Sequence, residues 1–185
     1  MQRRIKQIVI ALVALGAVAV ASLWLMKRET KKLSPEGTYV LFDGTRELIK
    51  VNYCRPSMRG RAIFGGLVPY GKVWRTGANE ATTIETAADL MIGGKPVKKG
   101  KYTLWTLPGP EQWEVYINRK MYRWGVDSDG NTMREPTADI AVISVPVQQL
   151  PDSVETFTIH GPEDGTALWL DWERTRIALT LGTQQ

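Results

Sequence analysis

The sequence predicts an all-β domain, an antiparallel β-sandwich or jelly-roll-like fold, preceded by a single N-terminal transmembrane helix. Two observations predict this fold class: an unbroken apolar run near the start of the chain, and ten short β-rich segments spread over the remainder. Turn residues separate these segments, and no long amphipathic helix lies among them. Short strands at regular spacing with turns between them are typical of sandwiches and jelly rolls.

The apolar run covers residues 8–26, and Ser22 is its only polar side chain. Nineteen helical residues at ~1.5 Å each span roughly 28 Å, close to the thickness of the hydrocarbon core of a bilayer. A cleaved signal peptide ending near Ala21 is the alternative, but the run stays apolar through Met26. We therefore predict a cytoplasmic basic segment at 1–7, a transmembrane anchor at 8–26, a linker at 27–35 and an extracytoplasmic β-sandwich domain at 36–185.

Basic residues flank the run on both sides, so the positive-inside rule does not decide its orientation. An N-terminal signal-anchor normally translocates the chain that follows it. We therefore expect a bacterial inner-membrane protein whose N-terminus is cytoplasmic and whose C-terminal domain is periplasmic.

The anchor would present a stripe of small residues, Ala11, Ala14, Ala17 and Ala21. Small residues let a second helix approach closely, so the stripe is a candidate packing face. Ordinary alanine usage in an apolar segment explains it equally well. The span contains no histidine, so we expect it to ligate neither a haem nor a pigment.

The formal charge of +5 belongs to the flanks of the anchor and not to the domain. Residues 1–32 contain seven Lys or Arg and one acid, whereas the remainder has 17 basic and 18 acidic residues. A nucleic-acid-binding domain would be expected to carry a basic face, so no nucleic-acid partner is expected. The nine-residue linker reaches about 30 Å at most, which leaves lipid and membrane protein subunits as expected partners.

Each strand is predicted from β-branched and aromatic residues bounded by turn residues. The predicted strands are 38–42, 47–53, 82–86, 90–92, 101–107, 113–118, 138–147, 154–159, 167–172 and 176–181. Asp43-Gly44 joins the first two as a hairpin turn, and Pro108-Gly109-Pro110 joins the fifth to the sixth. The Gly-rich stretch 59–72 is predicted to be a long structured loop with room for one helical turn.

The densest unusual stretch follows the second strand. Its elements are Arg55-Pro56, G-R-x-I-F-G at 60–65 and L-V-P-Y-G-x-x-W-R-T-G-A-N-E at 67–80, with later pieces at Gly100-Lys-Tyr-Thr-Leu104, Trp113, Trp124-Gly125 and Trp172. This pattern resembles the bacterial domain-of-unknown-function family 2911 over nearly the whole predicted domain. Gly100-Lys101 departs from the Ala-Gly that is usual there. The resemblance implies an envelope-associated protein, and it implies no mechanism because the family has no established activity.

The same stretch holds a candidate ligand cluster of Arg55, Arg61, Arg75, Asn79 and Glu80. Arginine binds carboxylates and phosphates in a planar, bidentate geometry, so three converging arginines would form an anion or sugar-acid pocket. The alternative is that the arginines form structural ion pairs that tie a long loop to the sheet.

Residues for other chemistry are few. His160 is the only histidine, which excludes a multi-histidine metal site, and Cys54 is the only cysteine, which excludes an internal disulfide. We expect Cys54 to be a buried small side chain, and we expect no catalytic residue, metal or cofactor. The predicted function is a non-catalytic accessory subunit of a larger membrane complex, such as a photosynthetic reaction centre–antenna or respiratory assembly. The alternative is an envelope-anchored ligand-binding protein or carbohydrate-active enzyme that uses the arginine pocket.

Overall fold

The computed structural model describes residues 2–183. Met1, Gln184 and Gln185, which the predicted domain bounds include, lie outside the described residues. The chain divides into a helical unit that ends at Leu33 and a β unit that begins at Ser34.

The helical unit is one helix, α1 (Gln2–Leu33), and every side chain described from Gln2 to Met26 is exposed. It is long and apolar enough to cross a membrane, a criterion that a signal sequence also meets. The helix continues through 27–33, so most of the segment predicted as a linker is helical. Good helix formers fill this segment, Lys32 pairs with Glu29 at 2.5 Å, and Pro35 disfavours helix at the residue before it.

The β unit contains ten strands among the described residues. They are β1 (Glu36–Asp43), β2 (Arg46–Cys54), β3 (Thr83–Thr86), β4 (Leu90–Ile92), β5 (Lys95–Val97), β6 (Gly100–Leu107), β7 (Gln112–Asn118), β8 (Asp139–Pro146), β9 (Gln148–His160) and β10 (Ala167–Thr183). A 3₁₀ turn at Pro136–Ala138 precedes β8.

The strands form two sheets in which every pairing is antiparallel, so the predicted sandwich-like all-β class is confirmed. The larger sheet has the order β1-β2-β3-β6-β7-β8 and the smaller one β5-β4-β10-β9. The loop 59–72 contains turns and no helix, so the space predicted for a helical turn is not used. The two predicted strands at 167–172 and 176–181 are one continuous strand, β10.

The core lies between the two sheets and is densest where five aromatic rings meet. We call this group the aromatic cluster: Phe64, Trp74, Trp113, Phe157 and Trp172. Three of its rings come from strands β7, β9 and β10, whereas Phe64 and Trp74 come from the long loop between β2 and β3. Trp74 is held there by two backbone hydrogen bonds with Thr106 of β6, with N···O distances of 2.6 and 3.0 Å. The loop is therefore part of the core.

Candidate functional site

The five residues of the predicted ligand cluster do not converge on one point. Three of them, Arg75, Asn79 and Glu80, lie together beside Cys54, whereas Arg55 and Arg61 point elsewhere. Side chains alternate in direction along β2, and this explains part of the separation between these residues. Tyr53 at the end of β2 faces the core, so the next residue faces the opposite side of the sheet and Arg55 returns to the first side.

Arg55 packs across the start of β1 and reaches towards β9. A Cβ atom on Gly37 would lie 2.5 Å from the Cδ of Arg55, so the side chain depends on the absence of one at that position. Its Nη2 donates to the hydroxyl of Thr158 at 3.4 Å, while its Nε is buried with no hydrogen-bond partner among the described residues. Arg55 thus bridges the two sheets.

Arg61 is exposed, and its guanidinium turns back onto its own loop. Its Nε donates to the carbonyl of Met58 at 2.9 Å, and its Nη2 donates to the carbonyl of Ser57 at 2.7 Å. These bonds satisfy backbone acceptors in a loop that has no regular ladder to use them. The arginine therefore stabilises its own loop, through carbonyls and not through an ion pair with the sheet.

The group beside β2 consists of the buried Cys54 and Asn79 and the partly buried Arg75 and Glu80. The Cys54 thiol donates to Glu80 Oε2 at 3.5 Å, and the amide of Asn79 donates to the Ser34 carbonyl at 3.3 Å. Asn79 and Cys54 are 5 % and 2 % exposed, whereas Arg75 and Glu80 are partly buried.

The backbone around these residues is shaped by residues with positive φ. Thr76 and Asn79 have φ of 56° and 57°, and Gly77 has a φ of 145°. A Cβ atom on Gly77 would lie 2.9 Å from the carbonyl oxygen of Cys54, so only glycine lets the loop approach β2 this closely. Gly125 has the same role on the other side, where a Cβ atom would lie 2.7 Å from that of Arg75. The group is therefore covered by two segments of chain.

Burial sets the electrostatics of this group. It lowers the pKa of the Arg75 guanidinium, although the neighbours Cys54 and Glu80 oppose that shift. Burial also raises the pKa of the Cys54 thiol, and the charge of Glu80 adds to that increase. The Nη1 of Arg75 is buried without a hydrogen-bond partner among the described residues. The chemistry favoured here is a protonated thiol, and not an activated nucleophile.

We expect Cys54 in the folded protein to react with a water-soluble maleimide at pH 8 at least about a hundredfold more slowly than in the urea-unfolded chain, because burial reduces both access and the thiolate fraction. Cys54 is the only cysteine, so the rate of mass increase reports on this residue alone. Labelling of the native protein at the rate of a free thiol would refute the assignment.

Two aromatic side chains of the same stretch, Trp74 and Tyr70, pack against the protein itself. Trp74 lies in the aromatic cluster, with its ring centroid 5.8 Å from that of Trp172, and its indole N–H donates to the Gly77 carbonyl. Tyr70 is 44 % exposed but packs on Gly65, whose Cβ position lies 2.9 Å from its ring. Trp74 therefore offers no open ring face to a ligand.

A polar group on the small sheet was missed by the sequence reasoning. Asp171 of β10 accepts hydrogen bonds from Arg176 at 2.8 and 2.6 Å and lies 2.8 Å from Nε2 of His160. The guanidinium of Arg176 lies 4.0 Å above the ring of Trp169, whose other neighbour is the edge-on imidazole of His160. The only signal was an acid in an otherwise apolar strand, and that signal does not identify its partners.

The residues of this second group form a structural network. Asp171 has a side chain only 5 % exposed, and the hydrogen bond to it raises the pKa of Arg176. His160 is the last residue of β9. Among the described residues, the hydrogen-bond partner found for its imidazole is the carboxylate of Asp171.

Metal binding has no support in the described part of the chain, where no three His, Cys, Asp or Glu side chains are placed to hold an ion.

In α1, the predicted packing face consists of Ala11, Ala14, Ala17 and Ala21, all exposed. At 100° per residue these four lie within about 120° of the helix circumference, as a packing face requires.

Comparison with known proteins gives a family and no activity. The family described as "Protein of unknown function (DUF2911)" matches residues 32–181, which is most of the chain and nearly all of the β unit. No curated protein and no solved structure matches the sequence.

Proposed function

This chain belongs to the family described as "Protein of unknown function (DUF2911)", and from that premise we propose that it is a non-catalytic, single-span accessory subunit of a membrane complex. The observation that carries the proposal is the contrast between its two units. The helix exposes every apolar side chain described from Ile8 to Met26, whereas the β unit buries the rings of Trp113, Phe157 and Trp172 in a core of its own. An apolar surface of that size requires lipid or another helix to cover it.

The β unit supports a bracing role. Arg61 stabilises its own loop, Arg55 connects the two sheets, and His160 is bound to a buried carboxylate. Its near-neutral charge gives it no electrostatic preference for nucleic acid. A rigid domain with these properties suits contact with the extramembrane face of another subunit.

Compartment and assembly are part of the proposal. We place the N-terminus in the cytoplasm and the β unit in the periplasm of a bacterial inner membrane, with anionic lipid around the basic flanks of the helix. Energy-converting assemblies, photosynthetic or respiratory, are the proposed class of complex because single-span additions are common there. The span contains no histidine, so its role would be packing and not pigment or haem ligation.

The alternative function, a ligand-binding protein or carbohydrate-active enzyme, has less geometric support. It requires Arg55, Arg61 and Arg75 to face a shared open cleft, and the distances above place them in three separate environments.

The proposal is tested by purifying the full-length protein from its native membrane in a mild detergent. We expect it to elute with at least one other membrane protein. Replacing both Ala14 and Ala17 by Ile should abolish this co-elution, because two larger side chains would separate helices that pack through small residues. The double variant should remain in the membrane after carbonate washing, which shows that insertion is intact.

Ala19→Ile is the matched control, since Ala19 lies about 140° from Ala14 around the same helix. It makes a comparable change and should leave co-elution unaffected. A stable monomer without a partner, or a mature chain that begins near Ser22 and is released by carbonate, would contradict the proposal.

A further inference from the structure

A cleft of about 250 Å³ opens at one end of the sandwich, between the β1–β2 hairpin and the last residues of β10. Its apolar lining comes from both sheets: Leu41, Leu48, Leu90 and Leu181. The bottom is well packed, since Leu41 and Leu90 are 8 % and 3 % exposed. The cleft therefore has a preformed apolar base that belongs to the β unit alone.

The hairpin is irregular at the cleft. Leu41 pairs with Ile49 and Phe42 with Glu47, so Leu48 is an extra residue that forms a β-bulge. Bulges re-aim side chains, and here the extra residue lines the cleft while Phe42 stands at its wall with 53 % of its surface exposed. An exposed phenylalanine beside an apolar opening is the arrangement expected of a contact surface.

The rim is acidic. Asp43 and Asp164 line the opening, and no Lys, Arg or His side chain is found among its described lining residues. Hydrogen bonds from Thr166 lower the pKa of Asp164, which keeps this carboxylate charged at neutral pH. The charge pattern selects for a cationic group beside the apolar part of a ligand.

The volume of the cleft favours a side chain of a protein partner over a small molecule as its occupant. Pockets for cofactors and other small ligands usually measure about 300–1,000 Å³, so a cleft of about 250 Å³ is too small for most of them. It is large enough for one or two apolar side chains, which is how a buried anchor residue of a protein partner binds.

We propose that this cleft is the docking site for a segment of a partner protein that inserts an apolar side chain between the sheets and carries Lys or Arg beside it. The inference rests on the proposed function, because it assigns the surface of the β unit that the partner subunit contacts.

The test uses the full-length protein in nanodiscs of zwitterionic lipid and a fluorescent peptide with a Leu-Phe-Leu centre and two basic residues on each side. Fluorescence anisotropy should show saturable binding. A peptide with the same centre and Glu flanks, and one with a Ser-Ser-Ser centre and basic flanks, should each bind much more weakly. Asp43→Lys should weaken binding of the first peptide roughly tenfold, because it reverses a rim charge.

Asp152→Lys is the matched control, since Asp152 is exposed on β9 and does not line the cleft. It should leave binding unchanged, whereas Phe42→Ala should weaken it. Equal binding by the three peptides, or equal binding by wild type and Asp43→Lys, would overturn the inference. A concentration-dependent dimer that Phe42→Ala dissociates would also overturn it, since a second copy would then occupy the cleft.

The outcome separates this inference from the function on which it rests. If no peptide binds but the protein still co-elutes with a membrane partner, the docking site is wrong and the accessory role stands. If the peptide binds as described but no partner co-elutes, the site is supported and the accessory role fails.

Discussion

Replacing Trp172 by Ala is expected to lower the free energy of unfolding of the β unit by about 3–5 kcal/mol, the range for truncating a buried aromatic side chain. Trp172 is 1 % exposed and contacts three other rings of the aromatic cluster. Its ring stacks on Trp74 with an interplanar angle of 20°, and its centroid is 5.8 Å from that of Phe157. The substitution would leave a cavity among rigid rings, and it would leave the Glu155 carbonyl without its indole donor.

Guanidinium denaturation of the full-length protein in detergent, followed by the β-sheet circular dichroism signal, measures this loss. Trp169→Ala is the control, because Trp169 lies three residues away in β10 and faces the outside of the sheet. Its truncation should lower the free energy of unfolding by clearly less than that of Trp172. Equal losses for the two variants would mean that the aromatic cluster contributes nothing special to stability.

The second large effect is expected from Asp171→Ala. This substitution removes a carboxylate that is 5 % exposed and leaves Arg176 and His160 without their shared acceptor. Breaking a buried ion pair by deleting one partner usually costs about 3–5 kcal/mol, and we expect about 2–4 kcal/mol here because Arg176 and His160 both remain partly hydrated. The same denaturation experiment measures the change.

Glu85→Ala is the contrasting control, because its ion pair with Lys101 is long, at 4.0 Å, and half exposed on both sides. Such a surface pair should contribute less than about 1 kcal/mol. Asp171→Ala should also cost much less in an Arg176→Ala background, since the lost interaction is then already absent. Additive losses in the double variant would rule out the network.

Most of the strand order followed from local sequence, and the differences have physical causes. Lys95–Val97 was missed because Pro96 argues against a strand, yet β5 is an edge strand, where the missing N–H is tolerated. Residues 167–172 and 176–181 were separated because Glu173-Arg174-Thr175 interrupts the apolar pattern. In the structure Glu173 has a φ of 55° at a register shift, so a bulge absorbs the interruption and the strand continues.

The candidate site was predictable as a list of residue types but not as a geometry. Arg75, Asn79 and Glu80 are neighbours in sequence, and their grouping followed from that alone. The separation of Arg55 and Arg61 depends on where the loop crosses β6 and β9, which long-range contacts determine. Asp171 and His160 are brought together by strand pairing between β9 and β10, where His160 faces Trp169 and Thr158 faces Asp171. No local pattern encodes that register.

The position of β10 has a consequence for biogenesis. The smaller sheet has the order β5-β4-β10-β9, so the last of the described strands is the one that joins the other three. The ribosome makes residues 167–183 after the strands that they join, so the paired strands β4 and β5 and the strand β9 lack their shared partner in this sheet until that stretch has been synthesised. If the helix enters the membrane early, the β unit would stay incomplete for several seconds at a synthesis rate of ~5–20 residues per second. During that interval its open strand edges would be available for a chaperone to protect.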